Sequence, residues 1–207
     1  MAKVLGGIAS SLSGKQEGTV FVQFNGSVYT RRAPQYTKSS WTPNQASARR
    51  RFAAINHFCR QFNDSVIPLI WKPSAVKMGG HAFFLKTNMA AFDAEGNLLD
   101  QKLLKLSTGI LTWPDGFSVK RKDSQPDVIE VNWEVDQVLG GIHLKDELIV
   151  ISAGEGNYSD ILETGITRGM LSGSFELPKL EAEVSHLYLF FGSRDRRNYS
   201  ESRCVEI

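Results

Sequence analysis

Apolar residues recur at every third or fourth position between residues 41 and 63, and this spacing predicts an amphipathic helix. Thr42 and Gln45 can form a capping box at its start, and Pro43 suits the first helical position because no amide hydrogen is needed there. The predicted buried stripe consists of Ala48, Phe52, Ile55, Cys59 and Phe62, with Phe58 widening it. The helix is therefore expected to bury this stripe and to present a basic face to solvent.

Two β-rich runs precede the helix and predict a hairpin. The runs Thr19–Phe24 and Ser27–Arg32 are separated by Asn25 and Gly26, a pair that tolerates positive φ at both central turn positions. Residues 1–18 are rich in glycine and serine, which is typical of an arm that becomes ordered against another surface. The chain is thus expected to begin with an arm followed by a two-stranded hairpin.

Two further patterns complete the N-terminal half. Gly79 and Gly80 open a second helical pattern, and a turn at residues 93–97 closes it. The short apolar run at residues 66–71 contains Pro68, so it is an edge strand, a helix start or a buried link. Residues 1–100 are therefore predicted to form one α+β unit that consists of an arm, a hairpin and two helices.

From about residue 102 the pattern becomes alternating and remains so to the end of the chain. Ile129, Val131, Trp133 and Val135 alternate with polar residues and give the clearest half-buried strand. Further strands are predicted at residues 103–107, 117–121, 147–152, 172–177, 187–191 and 203–207, with a weaker one at 158–164. This number and spacing of strands favour an all-β immunoglobulin- or fibronectin-III-like sandwich over residues 101–207, with Trp133 at the centre of its core.

Composition is that of a globular protein, with 42% hydrophobic and 22% charged residues in a chain of 207. The net charge of +2 is unevenly distributed along the chain. Residues 1–63 hold nine Lys or Arg against one acidic residue, a charge of +8, whereas residues 64–207 hold 15 basic and 21 acidic residues, a charge of −6. This asymmetry favours either a polyanionic partner for the first half or head-to-tail contact between neighbouring copies.

Neither the cysteines nor the first residues carry the signature of a secreted protein. Cys59 lies on the apolar stripe and Cys204 in a strand-like run, so both are predicted to be buried thiols rather than a disulfide bridge. The first 15 residues lack the continuous apolar run of a secretory signal, and no stretch approaches the roughly 18 apolar residues of a membrane span. We therefore expect a protein of the cytoplasm or of a virion, without a membrane partner.

Signatures of catalysis and of cofactor binding are incomplete. Ser13, Gly14 and Lys15 are part of a phosphate-loop pattern, but its first glycine and its final Ser or Thr are missing. Residues 93–97 imitate the opening of a calcium loop, yet Leu104 stands where the bidentate glutamate is required. The histidines are scattered, at His57, His81, His143 and His186. No catalytic residue, metal ligand or cofactor is predicted, and the protein is expected not to be an enzyme.

Five arginines are the residues most suggestive of a binding function. Arg31 and Arg32 end the hairpin, and Arg49, Arg50 and Arg60 lie on the polar side of the helix. Consecutive helical residues point about 100° apart, so Arg49 and Arg60 share a face and Arg50 lies further round. These arginines are predicted to contact a partner, either a protein or single-stranded nucleic acid, although a solvated face is the commoner role of such charges.

The order of these motifs resembles that of an uncharacterised family of Bacteroidota proteins of about this length. The shared motifs are S-G-K at residues 13–15, Arg-x-x-Pro at 31–34, T-x-x-Q-x-x-x-R-x-x-F at 42–52, G-G-H-A-F-F at 79–84 and Y-L-F-F-G-S at 188–193. The resemblance spans nearly the whole chain, although Cys204 stands where an aromatic residue is more usual. The block at 42–52 is also similar to small proteins encoded in phage and prophage structural regions. Neither group has an agreed activity, so the resemblance implies no catalytic residue.

Together these features favour a non-catalytic structural or assembly protein that self-associates through its N-terminal half. Its partner is expected to be a second copy or another protein. The alternative hypothesis is a nucleic-acid-binding protein that uses the basic N-terminal half.

Overall fold

A computed structural model describes residues 2–4, 13–24, 27–35, 41–135, 143–178, 180 and 182–207. These residues form three α-helices and twelve β-strands, a mixed α+β fold with open antiparallel sheets. The chain divides into two compact units, residues 1–43 and residues 44–207. The predicted boundary at 100/101 lies inside the second unit, where residues from both sides of it share one core.

The first unit is a four-stranded antiparallel sheet. Its strands are β1 (Ala2–Val4), β2 (Gly14–Gln16), β3 (Thr19–Phe24) and β4 (Ser27–Arg32). They lie in the order β1-β4-β3-β2, so the predicted hairpin of β3 and β4 is confirmed and forms the centre of the sheet. Two strands come from the stretch predicted as an arm, whose residues 5–12 lie outside the described residues, as does the predicted turn at Asn25 and Gly26.

The second unit begins with helices. They are α1 (Pro43–Cys59), α2 (Lys72–Ser74) and α3 (Gly80–Asn88). A 3-10 turn, Arg60–Phe62, extends α1 to about the predicted end of the first helix. The run containing Pro68 forms a π-helical turn, Ile67–Trp71, whose Ile67, Ile70 and Trp71 are buried. Among the three alternatives for this run, it is therefore a buried helical link that leads into α2.

Eight strands complete the second unit. They are β5 (Ser118–Lys122), β6 (Gln125–Asn132), β7 (Glu147–Gly154), β8 (Asn157–Tyr158), β9 (Leu162–Thr167), β10 (Ser172–Glu176), β11 (His186–Gly192) and β12 (Arg203–Glu206). One sheet has the order β10-β6-β5, and a five-stranded sheet has the order β12-β11-β7-β8, with β9 also paired to β7. Most predicted strands after residue 116 are thus confirmed in position, and the weak one at 158–164 is two short strands. The strand predicted through Trp133 and Val135 ends earlier, at Asn132, and Val135 is 61% exposed rather than half-buried.

The central strands of the five-stranded sheet, β7 and β11, are buried on both of their faces. On one face Leu148 and Leu189 pack against Ile129 and Trp133 of the three-stranded sheet and its continuation. On the opposite face, side chains of β7 and β11 such as Tyr188 pack against the helices. The second unit therefore has three layers, helices, a central sheet and an outer sheet, and Trp133 lies in the core between the two sheets as predicted.

The strand predicted at residues 103–107 is wrong. A 3-10 turn, Gln101–Leu103, is followed by an extended segment that belongs to no sheet. Side chains take the place of strand partners: Asn88 Oδ1 accepts from the Lys105 amide at 2.6 Å, and Ser202 Oγ accepts from the Leu106 amide at 3.0 Å. The alternating burial of Leu104 and Leu106 therefore comes from an extended segment that packs on the helical core without joining a sheet.

The predicted burial of Ala48 and of Phe52 is also wrong, because Ala48 is exposed and Phe52 keeps 51% of its surface exposed. The turn at residues 93–97 packs against the other flank of α1, where Gly96 lies beside Ala54 and Ser47 Oγ donates to the Ala94 carbonyl at 3.4 Å. The buried side of α1 therefore consists of Ile55 with Ala54 and Phe58 beside it, and Phe52 faces solvent.

Changing Ile55 and Phe52 to alanine in turn should separate the two sides of α1. Ile55→Ala is expected to lower the free energy of unfolding by about 2–5 kcal/mol because the side chain is fully buried. Phe52→Ala is expected to stay within about 1 kcal/mol because half of that ring is already in water. Urea denaturation followed by circular dichroism measures both values, and a larger loss for Phe52→Ala would contradict this orientation of the helix.

Candidate interaction surfaces

The first unit is basic and the second unit is acidic. Residues 1–43 carry five Lys or Arg and one acidic residue, a formal charge of +4. Residues 44–207 carry 19 basic and 21 acidic residues, a charge of −2. The two compact units therefore carry net charges of opposite sign, as the two halves of the sequence do.

One face of the first unit's sheet combines apolar and basic side chains. Strand pairing places Lys15 opposite Val20, Val20 opposite Arg31, and Val22 opposite Tyr29. Because paired residues in an antiparallel sheet point to the same side, these five side chains share one face. We call this surface the Tyr29 face. It presents two aliphatic side chains and one aromatic ring, with exposed cations at Lys15 and Arg31.

The first unit buries little of its apolar surface. Among its described side chains, only Val28 and Ala33 are buried. On the Tyr29 face Val20 and Tyr29 are half-buried, and Val22 keeps 37% of its surface exposed. A small sheet is normally stabilised by packing one apolar face against another layer. The Tyr29 face therefore keeps part of its apolar surface exposed.

The hairpin arginines point to opposite sides of this sheet. Arg31 and Arg32 are consecutive residues of β4, so their side chains alternate across it, and only Arg31 lies on the Tyr29 face. Both side chains are exposed. The two arginines were predicted together as partner contacts, but the strand geometry places them on opposite faces of the sheet.

The helix arginines also divide into two groups. Arg50 Nε donates to the Ala94 carbonyl at 3.3 Å, and Arg51 Nε donates to the Asp93 carbonyl at 3.1 Å. Arg49 and Arg60 are exposed, and helical geometry places them on one outer face of α1 together with Phe52. Their role as partner contacts stays a prediction.

The turn at residues 93–97 is held by its own side chains. Asp93 Oδ1 accepts from the amides of Glu95 and Asn97 at 3.0 and 2.7 Å, and Gly96 has a positive φ of 95°. Hydrogen bonds, led by that from the Asn97 amide, lower the pKa of the Asp93 carboxyl. The described residues contain no group of three or more His, Cys, Asp or Glu side chains placed to hold a metal ion.

One cavity brings a histidine and carboxylates together. It measures about 440 Å³ and is lined in part by His143, Asp146 and Ser193. His143 Nδ1 lies 3.0 Å from Oδ2 of the nearly buried Asp146. Ser193 donates its hydroxyl proton to Asp195 Oδ1 at 2.6 Å and accepts the Asn198 amide at 3.0 Å. Because this hydroxyl caps a turn, it is not paired with the imidazole as a nucleophile would be.

Both cysteines are free thiols. Cys59 is buried, and this burial raises its pKa to about 11. Burial likewise raises the pKa of the half-buried Cys204 thiol. The neutral thiol is a poor nucleophile, so neither side chain has the low pKa that favours reactive cysteines.

None of the helices in the described part of the chain is long and apolar enough to cross a membrane. No protein-family profile matches the sequence, and no curated protein is significantly similar to it. The candidate surfaces therefore rest on the geometry and charge of this chain alone.

Proposed function

We propose that this protein is a non-catalytic assembly protein that associates with further copies of itself through the sheet of its first unit. The observation that carries the proposal is the Tyr29 face, on which Val20, Val22 and Tyr29 form an apolar centre between Lys15 and Arg31. Burying such a face against a second protein surface lowers the free energy, because apolar side chains are removed from water. Full burial of an exposed valine or a larger apolar side chain contributes roughly 1.5–3 kcal/mol.

We also propose that the two sheets of the second unit form a module related to the immunoglobulin or fibronectin type III sandwich. With β8 and β9 counted as one interrupted strand, the first, second and fifth strands share one sheet, and the third, sixth and seventh share the other. Immunoglobulin constant-type domains divide strands A, B and E from strands C, F and G in the same way. The fourth strand differs, because β8 and β9 pair with β7, whereas strand D of a constant-type domain lies in the sheet of A, B and E. The division of the other six strands supports the relationship, and the assembly would display the module on its surface.

The setting of such an assembly is proposed from the resemblance alone. The block at residues 42–52 is similar to proteins encoded in phage and prophage structural regions. We therefore propose a particle component, made in the cytoplasm and incorporated into a virion, as the context of self-association.

Self-association can be tested with a single substitution in β3. The native chain is expected to form oligomers whose population rises with concentration in sedimentation velocity experiments. Val22→Asp should weaken this association about ten- to hundredfold, because it removes apolar burial and places a charge on the Tyr29 face. Gln23→Asp is the matched control, since Gln23 is exposed and lies next in the strand but on the opposite face. Its association should match that of the native chain.

Nucleic-acid binding would be revealed by a different outcome of the same design. In that case the native chain would stay monomeric and would retard DNA or RNA in electrophoresis at low salt. Affinity for duplex DNA would then fall with salt at a log–log slope of about −0.9 per neutralised phosphate. A chain that is monomeric at every concentration would refute assembly through the Tyr29 face.

A further inference from the structure

A groove of about 850 Å³ opens in the second unit between the β5–β6 turn and the segment that follows β10. Its half-buried apolar lining comprises Val128, Leu177, Pro178, Leu180, Ala182 and Val184, and Pro126 adds an exposed apolar ring. Main-chain bonds fix both ends of the wall: the Leu177 amide donates to the Asp127 carbonyl at 2.8 Å, and the Ser185 amide donates to the Ala153 carbonyl at 2.9 Å. Both ends of the wall are therefore anchored to neighbouring strands.

The rim of the groove is acidic. Asp127, Glu176 and Glu183 line it and are exposed, and none of them forms an ion pair with another described residue. Among the described lining residues, the one cationic side chain is that of Arg121, whose Nη2 donates to the Val184 carbonyl at 3.1 Å. The described lining therefore carries a net charge of −2 around an apolar floor. An apolar surface flanked by cations is its complement.

The Tyr29 face has this chemistry, because its apolar centre is flanked by Lys15 and Arg31. Two Tyr29 faces would make a poor pair, since each would set its cations against those of the other. We infer that the groove of one copy binds the Tyr29 face of a second copy, an inference that rests on the proposed self-association and names its contact. The two surfaces differ, so the contact is heterologous. An open oligomer keeps one unfilled groove at one end and one unfilled face at the other, so it either closes into a ring or grows into a filament.

Charge reversal on each side of the proposed contact tests the pairing directly. The face variant carries Lys15→Glu and Arg31→Glu, and the groove variant carries Glu176→Lys and Glu183→Lys. In sedimentation velocity each variant alone is expected to associate about a hundredfold more weakly than the native chain, since like charges would meet at the contact. An equimolar mixture of the two should recover assembly, because each face then meets a groove of opposite charge. A double variant outside the groove, Asp64→Lys with Asp160→Lys, changes two exposed carboxylates equally and should assemble like the native chain.

The outcomes separate this inference from the function on which it rests. A groove variant that assembles like the native chain, or a mixture that shows no recovery, would overturn the groove contact and leave self-association standing. A native chain that is monomeric throughout would overturn both. Thermal unfolding by circular dichroism checks that each variant is folded. If a reversal lowers the melting temperature, Glu176→Gln with Glu183→Gln gives the same test, with a smaller expected weakening of about tenfold.

Discussion

Replacing Trp71 with alanine is expected to lower the free energy of unfolding by about 3–5 kcal/mol. The indole is fully buried, lies edge-on to Phe83 and Phe84 at 5.3 and 5.1 Å, and donates its Nε1 proton to the Leu106 carbonyl at 2.9 Å. The substitution would open a cavity and leave that carbonyl without its partner. Urea denaturation of the full chain measures the loss.

Leu69→Ala is the matched control for this substitution. Leu69 lies in the same π-helical turn, but 53% of its surface is exposed. Its truncation is expected to change the free energy of unfolding by no more than about 1 kcal/mol. Equal losses for Trp71→Ala and Leu69→Ala would show that the turn is packed differently from the arrangement described above.

Trp133→Ala is expected to have an effect of similar size, about 3–5 kcal/mol, on the opposite side of the central sheet. This indole is 5% exposed, stacks on Phe117 at 5.7 Å and donates from Nε1 to the Arg168 carbonyl at 2.9 Å. Val135, two residues further along the chain, is 61% exposed and supplies the control substitution Val135→Ala. A change within about 0.5 kcal/mol is expected there.

The two tryptophan variants also test how the second unit unfolds. Trp71 and Trp133 belong to the two cores that share β7 and β11, so each variant is expected to shift one common unfolding transition. A domain boundary at 100/101 would give another result. Trp71→Ala would then shift one of two transitions and leave the other unchanged.

Local patterns in the sequence were sufficient to predict much of the fold. The 3.6-residue periodicity and the Thr42 to Gln45 start signal gave α1, and alternation gave most strands after residue 116. The extended segment at residues 104–107 was mistaken for a strand, because buried side chains alternate in any extended segment, whether or not a strand lies beside it. Its partners, Asn88 and Ser202, are distant in sequence and become visible only once the chain is folded.

The sequence contains a signal for the three-layer arrangement of the second unit, although the strand predictions did not use it. Residues 148–151 and 187–191 are continuous apolar runs, a pattern typical of strands covered on both faces. The exposure of Phe52 had no such signal, since its spacing fits the buried stripe and only the packed turn at 93–97 rotates it outward.

Candidate surfaces differed in how much the sequence could reveal. The Tyr29 face follows from the register of one hairpin, so pairing β3 with β4 would have separated Arg31 from Arg32. The acidic groove could not be predicted in this way, because Asp127, Glu176 and Glu183 come from three separate segments. Only tertiary packing places them around one opening.

Because β11 is buried on both of its faces, the second unit cannot finish folding before this strand has been synthesised. The helices of residues 44–92 have their apolar sides packed against β7 and β11, and β11 begins only at His186. Until the ribosome has released that strand, the helical core lacks one of its walls and its aromatic side chains face water or a chaperone. The run L-Y-L-F-F at 187–191 is meanwhile a strongly apolar segment with high β-propensity. The second unit can therefore close only after the ribosome has released β11, and slow synthesis of that strand would prolong the period in which these apolar side chains can cause aggregation.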